Sequence, residues 1–568
     1  MLKKVTSSTS NSSHGPILGV FTPCDPRVDQ ESRARAANIV RMVAEAVAAE
    51  VKLPNGEAVH VVYSEDLVDG EAQADRVARQ FKEHGVNILI ATPDTWAFPQ
   101  LSLISLLAHF PKDTPLNLTC GNTGPKPGVV FTHAASGALS QYGCLVHINV
   151  GNWPDIGQQP QMSAATKTAL IDWAYAAVTY QGLKGRRVVI FGHDSMGMET
   201  ALAHVLATRN SFGLEISRLD MKLLADMLHK KAYDEKELQA LRAWLDGHAK
   251  ARIELQNELD DHRLNQSLAM YLIVRNVMKD LDAVGGGFMS QLEWGSDRRG
   301  VPLPVADIME SLFNSTFDHT GKKAVLPYAT EADVQGLLTM LFMTWLSAGN
   351  PPLFMDFRKV WEPWEIQKLA KELGVTMKGD TQWEQKGIVD GDNSGSASFD
   401  WAALPGASEA EIMKNISFPP AIEYYFPGMG NSVTFISPGG IHGIAARMTY
   451  SSLSNMFGMI WDEAETVALP DKLAQAVCNT SNPTWPHTFV TPKHATMMEY
   501  KQYAPANHFH MTWNLRTSRL QYWMDLANVL AITPWQKLPA FRESVDRPLP
   551  LLYLINGGEN QTKLLRRR

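Results

Sequence analysis

Two carboxylates stand out by where they sit along the chain. Asp356 follows the apolar run Pro352-Leu-Phe-Met355, so it caps a strand that should be buried. Glu331 follows Ala324-Val-Leu-Pro-Tyr-Ala-Thr330 and opens a helix through Val334, Leu337 and Leu338. Both positions are where strands end and loops begin, the place where an α/β sheet presents ligands. His508 and His510 lie in Ala506-Asn-His-Phe-His-Met-Thr512, whose alternation suggests a strand with both rings on one face. Two carboxylates and an imidazole suit a borderline-hard divalent ion such as Mn2+, with water or substrate oxygens completing the shell. Zinc would more often recruit thiolates or further histidines. Each residue also has a plainer reading. Glu331 could be a first-turn helix residue favoured by the helix dipole, Asp356 could simply pair with Arg358, and the two histidines could be structural.

The elements that must carry these residues read as an alternation of strands and helices. Gly15–Thr22 is a buried strand, followed by the loop Pro23-Cys-Asp-Pro-Arg27 and a helix to about Glu50 with Ile39, Val40, Met42, Val43, Ala46 and Val47 on one face. Val59–Tyr63 and Val86–Ala91 are further strands, the second leading into Thr92-Pro-Asp-Thr-Trp-Ala97. A second unit opens at Lys184-Gly-Arg-Arg-Val-Val-Ile-Phe191. Asp234 with Glu237 reads as a helix start ahead of Leu238, Leu241 and Leu245. The long polar run onward to about Asp282 fits a surface or subunit-facing helical segment. Beyond residue 357 Gly, Pro, Ser and Asn become frequent, and short β-prone runs such as Ser432–Ser437 and Ala445–Tyr450 appear. The fold class expected is α/β: two Rossmann-like parallel-sheet α/β domains, 1–181 and 182–357, followed by a β-rich C-terminal domain, 358–568.

Size and composition are compatible with this. A chain of 568 residues is too long for one core, and 45% hydrophobic with 20% charged residues is ordinary for a globular protein. A formal charge of -7 supplies no basic stripe for nucleic acid, and no apolar run reaches the roughly 20 residues of a membrane span. Four scattered cysteines without a CxxC pair give neither a zinc knuckle nor a disulfide framework. The N-terminus lacks the apolar core of a secretory signal, so the cytoplasm is the expected compartment.

Two glycine motifs are decoys. Gly192-His-Asp-Ser-Met-Gly197 has His193 where a nucleophile elbow needs glycine, and it lacks the Lys-Ser/Thr that completes a P-loop. Gly285-Gly-Gly287 has no dinucleotide fingerprint around it.

A set of collinear motifs carries a resemblance. Leu312-Phe-Asn-Ser-Thr-Phe-Asp318, Ala329-Thr-Glu-Ala-Asp333, Phe354-Met-Asp-Phe-Arg358, Trp361-Glu-Pro363, Thr484-Trp-Pro486 and Ala506-Asn-His508 occur in the order and spacing of the L-fucose isomerase family. The chain resembles that family over nearly its full length. The resemblance implies a metal-dependent aldose–ketose isomerase with Glu331, Asp356 and His508 as ligands of Mn2+ or another divalent ion. It also implies that the two carboxylates move a proton between C1 and C2 of the opened sugar through an ene-diol. The sugar contacts it implies are Arg27 and Trp96, donated across a subunit boundary, with Gln291, Ser394, Tyr425 and Asn507. A homo-oligomer, hexameric or trimer-based, acting on a small-molecule sugar is thereby expected, with L-fucose to L-fuculose first and D-arabinose to D-ribulose beside it. The chain departs from the family pattern after the histidine, at Phe509-His510 and Trp513-Asn-Leu-Arg516. Specificity is therefore open: L-arabinose or a modified hexose is an alternative substrate, and Arg516 or His510 near C6 would favour an anionic group such as a sulfonate. A non-catalytic sugar-binding relative is the alternative from another class.

Overall fold

The structure, a computed structural model, describes residues 2–5, 15–122, 124, 127–151, 153, 155–156, 159–193, 197–289, 303–392, 397–452 and 454–532. It divides into two compact units, one built on Met1–Gly182 and Ser518–Ala527, the other on Leu183–Thr517 and Asn528–Lys537.

The first unit is a twisted sheet of β1 (Leu2–Lys4), β2 (Ile17–Phe21), β3 (His60–Ser64), β4 (Ile88–Ala91), β5 (Leu116–Cys120) and β6 (Val146–Val150) in the order β1-β3-β2-β4-β5-β6. All neighbours are parallel except the edge strand β1. Strands buried on both sides must be apolar throughout, and Ile88–Ala91 and Leu116–Cys120 are buried at every position. The expected first helix runs Gln30–Glu50, capped by Asp29, with Ile39, Val40, Val43 and Val47 inward, while Met42 and Ala46 are only half-buried. The order in which strands are added along the sheet reverses between β2 and β4, the switch point where such sheets open a crevice. A small ribbon, β7 (Asp155–Ile156) with β8 (Gln159–Pro160), follows. The helix Thr517–Leu526 returns to this unit, where Ser518 Oγ and Arg519 Nε reach the buried Asp172 at 2.5 and 2.9 Å.

The second unit begins with a parallel four-stranded sheet, order β10-β9-β11-β14, from β9 (Arg187–Phe191), β10 (Glu215–Leu219), β11 (Ala283–Phe288) and, after the ribbon β12 (Phe317–Asp318) with β13 (Gly321–Lys322), β14 (Tyr328–Ala329). The run toward Asp282 differs from its expected surface role. It breaks after Ala249 and resumes as a core helix, Glu258–Asp280, that buries Leu264, Leu268, Met270, Leu272 and Ile273. Its acidic first turn, Glu258, Asp260 and Asp261, gives the start of the segment a polar character that its buried middle, Leu268–Val274, does not share.

A closed six-stranded antiparallel barrel follows, made of β15 (Leu353–Trp361), β16 (Ile388–Asp392), β17 (His442–Ser451), β18 (Met456–Thr466), β19 (His487–Pro492) and β20 (His508–Trp513). The order around it is β17-β20-β15-β16-β19-β18, and pairing of β17 with β18 closes the ring. β21 (Leu530–Ile532) adds to β18 outside the ring. Ser432–Ser437, expected as a strand, makes only isolated bridges through Thr434 and Ile436. One apolar core runs through this unit, from Val189 and Leu272 to Met355, Phe509 and Met511. The four cysteines are free, and among the described residues no helix is long and apolar enough to cross a membrane.

Candidate active site

Glu331 leaves the carboxyl end of β14 in a short turn ahead of the helix Val334–Leu346. It does not sit in that helix, so stabilisation by the helix dipole does not explain it. Its backbone is left-handed, φ 57° and ψ 22°, and Ala332 follows at φ 50°. Such a conformation is unfavourable for a residue with a Cβ and persists only where the surroundings enforce it. Asp356 lies within β15 rather than at its end, and antiparallel pairing with β20 sets it opposite His508. Thus one acid comes from the parallel sheet, as expected, and the other from the barrel.

Glu331 and His508 face one another, with Asp356 opposite His508 across the strand pair. His508 Nε2 is 3.5 Å from Glu331 Oε2, and Asp356 exerts its charge on both. Burial raises the Glu331 carboxyl above its ordinary value against the pull of His508, and Asp356 adds to the rise. Burial would lower His508, yet the hydrogen bond and charge of Asp333 leave it raised. Arg358 stands at 3.1 Å from Asp356 and 3.3 Å from the fully buried Asp392, so the pairing of Asp356 with Arg358 does occur. Asp392, whose oxygens lack an aligned hydrogen bond, is pushed up to about 7 by burial, with Arg358 opposing.

Other expected residues divide by location. Asn507 Nδ2 lies 3.4 Å from Asp356 Oδ1, so it joins the cluster. Tyr425 packs on Trp485, whose ring also carries the Arg358 guanidinium, which places Tyr425 on the aromatic wall beside Asp356. Arg27 and Trp96 occupy the loops leaving β2 and β4 at the switch point of the first unit. Arg27 forms a bidentate pair with Asp25 and lies over Phe98, which also packs edge-on against Trp96. Gln291 and Ser394 lie outside the described residues, as does Ser195 of the Gly192–Gly197 decoy.

His510 shares a face with His508, and both rings pack on Phe354. Its Nε2 is directed at Arg447, 3.4 Å away, and burial followed by the Arg447 charge keeps it well below an ordinary imidazole. Arg516 is elsewhere. It lines a separate cavity of about 660 Å3 with His442, Glu463, Glu465 and Lys493, at the opposite end of β20 from His508. An anionic sugar substituent therefore gains no support from Arg516.

Asp333 was not singled out from the sequence. It is fully buried and accepts hydrogen bonds from His508 Nδ1 at 2.7 Å, from Arg447 at 2.5 and 3.0 Å, and from the Gly336 amide at 2.8 Å. Burial notwithstanding, Arg447 and His508 hold it well below the usual carboxylate range. Its position at the N-cap of the next helix gave it a sufficient local reason to be acidic, and Arg447 lay far off in a β-prone run.

Among the described residues no three His, Cys, Asp or Glu side chains form a ready metal cluster. The chemistry of the donor set nevertheless fits a divalent ion: two carboxylates and an imidazole whose Nδ1 is engaged and whose Nε2 is turned to the acids.

Two α/β sheets and a closed antiparallel barrel, with a carboxylate–imidazole centre where the second sheet meets the barrel, define the class of fold. The model for the L-fucose isomerase first N-terminal domain matches residues 15–185, and that for the second N-terminal domain matches residues 187–348. The chain belongs to the L-fucose isomerase family. Its relatives include the L-fucose isomerases of Escherichia coli (strain SMS-3-5 / SECEC) and Klebsiella pneumoniae (strain 342), each 25% identical over 84% of this chain and 85% of the relative.

Proposed function

We propose that the chain is an aldose–ketose isomerase, with L-fucose to L-fuculose as its first reaction and D-arabinose to D-ribulose as a side activity. The observation that carries this reading is the convergence of Glu331, Asp356 and His508, with Asn507 and Tyr425 beside them. The names of the matched relatives support the choice of sugar.

Glu331, Asp356 and His508 would hold the divalent ion, Mn2+ first. When bound, the ion supplies charge stabilisation for the sugar oxygens as the ene-diol forms. The chain's own work is proton transfer and orientation. One carboxylate removes the carbon-bound proton at C2 and returns it at C1, while the other exchanges the proton that passes between the C1 and C2 oxygens. Arg358 holds Asp356 in place, and the Tyr425–Trp485 wall excludes water from one side.

The domain division is 1–181, 182–357 and 358–568. The enzyme works as a cytoplasmic homo-oligomer, hexameric or trimer-based, in which Arg27 and Trp96 serve a neighbouring subunit's sugar, with Gln291 and Ser394 as further contacts.

The test is ketose formation by EDTA-stripped protein with and without Mn2+, on L-fucose, D-arabinose and L-arabinose. Mn2+-dependent turnover that is lost in Glu331→Gln supports the reading, and the fastest sugar names the substrate. Absence of turnover on all three sugars with Mn2+ present overturns it.

A further inference from the structure

We propose that Asp333 and Arg447 are positioning residues that fix the tautomer of His508 and so set the divalent-ion affinity of the centre. The inference rests on the reading of Glu331, Asp356 and His508 as the ion-binding set.

An ionised carboxylate only accepts hydrogen bonds. Asp333 Oδ2 lies 2.7 Å from His508 Nδ1, so that nitrogen must carry the proton. The nitrogen left to ligate is Nε2, the one turned toward Glu331. A neutral Asp333 would not enforce this choice. Its O–H could donate to Nδ1, which would move the imidazole proton to Nε2 and occupy the ligating position.

Arg447 removes that alternative. It is 1% exposed and sits in β17, yet both terminal nitrogens reach Asp333, one to each oxygen. Nη2 also donates to the Thr200 carbonyl at 2.6 Å, which fixes the guanidinium plane. A buried carboxylate next to a buried guanidinium stays charged, because losing one charge would strand the other. His510 Nε2 lies on the same guanidinium at 3.4 Å and, as a neutral ring, can accept from it without adding charge.

The arrangement spans three elements. Asp333 belongs to the turn and cap before the helix Val334–Leu346, His508 to β20 and Arg447 to β17. A helix cap alone needs one acceptor for the first-turn amide, and Gly336 supplies that donor. The bonds to His508 and Arg447 exceed what capping requires.

The measurement is Mn2+ affinity of the metal-stripped full chain, read from the EPR signal of free Mn2+, for wild type, Asp333→Asn, Arg447→Lys and His508→Gln. Asparagine and serine both keep a capping side chain, so Asp333→Ser replaces Asp333→Asn if the latter fails to fold by circular dichroism. The expected result is a dissociation constant raised roughly ten- to a hundredfold in Asp333→Asn, as for other lost partners of a metal-binding histidine. Arg447→Lys, which keeps the charge, should lose less. Turnover of Asp333→Asn should recover as Mn2+ is raised, under conditions where the circular dichroism of the metal-free variant already matches wild type. Wild-type binding that is abolished by His508→Gln but changed less than twofold by Asp333→Asn overturns the inference. Wild-type binding unaffected by His508→Gln instead removes the ion-binding reading on which it rests, and the inference falls with it.

Discussion

Asp356 and His508 are register partners across β15 and β20, so a single antiparallel pairing brings together two residues far apart in the chain. Side chains alternate across a strand, and a slip of one residue would turn either group away from the other. The same pairing sets Phe354 against His510, whose ring contacts it. The register of two barrel strands is therefore part of the candidate site's chemistry.

Glu331 combines a buried carboxyl with a left-handed backbone, and both features oppose stability. Relief of a left-handed residue is worth roughly 1–2 kcal/mol. Glu331→Gly should thus unfold at a urea midpoint equal to or above wild type, while isomerase activity falls below detection. A clear loss of stability would mean that the Glu331 side chain holds the turn together.

The Gly336 position leaves no space for a methyl group. A Cβ there would lie 2.6 Å from Asp333 Oδ2 and 2.7 Å from His510 Nε2. Crowding of this kind costs about 1–3 kcal/mol, so Gly336→Ala should lower the thermal midpoint and weaken turnover together. Thermal denaturation and the ketose assay on one preparation check both. Unaltered activity would show that the Asp333–His508 contact tolerates displacement.

Asp307 is buried on the helix Asp307–Asn314, and its Oδ2 has no hydrogen-bond partner. Burial, opposed by Ser432, raises its pKa from 3.8 to about 8. The folded state then keeps a proton that the unfolded state has released, so stability falls as pH rises from 3.8 toward about 8 and levels off above that. Glu310 alongside is raised as well, by burial and then by Asp307. Urea unfolding between pH 5 and pH 9 should show this decline, and Asp307→Asn should flatten it. A slope unchanged by the substitution would assign the decline to other groups.

Ion binding at the candidate centre should stabilise the fold. Mn2+ at a hundred times its dissociation constant adds about 2.7 kcal/mol by mass action. Differential scanning fluorimetry should record an upward shift that His508→Gln removes, and a shift retained in that variant would locate the ion elsewhere.

Arg516→Ala should leave turnover of every tested sugar within about twofold, since surface substitutions away from a site seldom matter. Its side chain lines the cavity with Glu463, Glu465 and Lys493, not the acid cluster. A selective loss for one sugar would reopen its role in specificity.

What could be read from the sequence was mostly local. Continuous apolar runs disclosed β2, β4 and β9, and helical periodicity the helix Gln30–Glu50, because these elements are buried along their length or along one face. Collinear motifs pointed to the family, and the proposed roles of Glu331, Asp356 and His508 follow from that resemblance. Asp333 stayed hidden because a helix cap accounted for it, and Arg447 because its partners are remote in sequence. The core helix Glu258–Asp280 was obscured by its acidic first turn. Arg516 was misplaced for a related reason: nearness to His508 along a strand was read as nearness to the site, whereas the strand carries the chain away from it.

Closure of the barrel has a kinetic consequence. β15 contributes Asp356 as the first barrel strand along the chain and β20 contributes His508 as the last, and these two must pair. Contacts between strands so distant in the chain form slowly, after local structure is already in place. The polypeptide can therefore acquire nearly all its helices and its parallel sheets while still unable to assemble both acids with the imidazole. Recovery of activity during refolding should lag behind recovery of helical signal, and the last strand to dock acts as the clock.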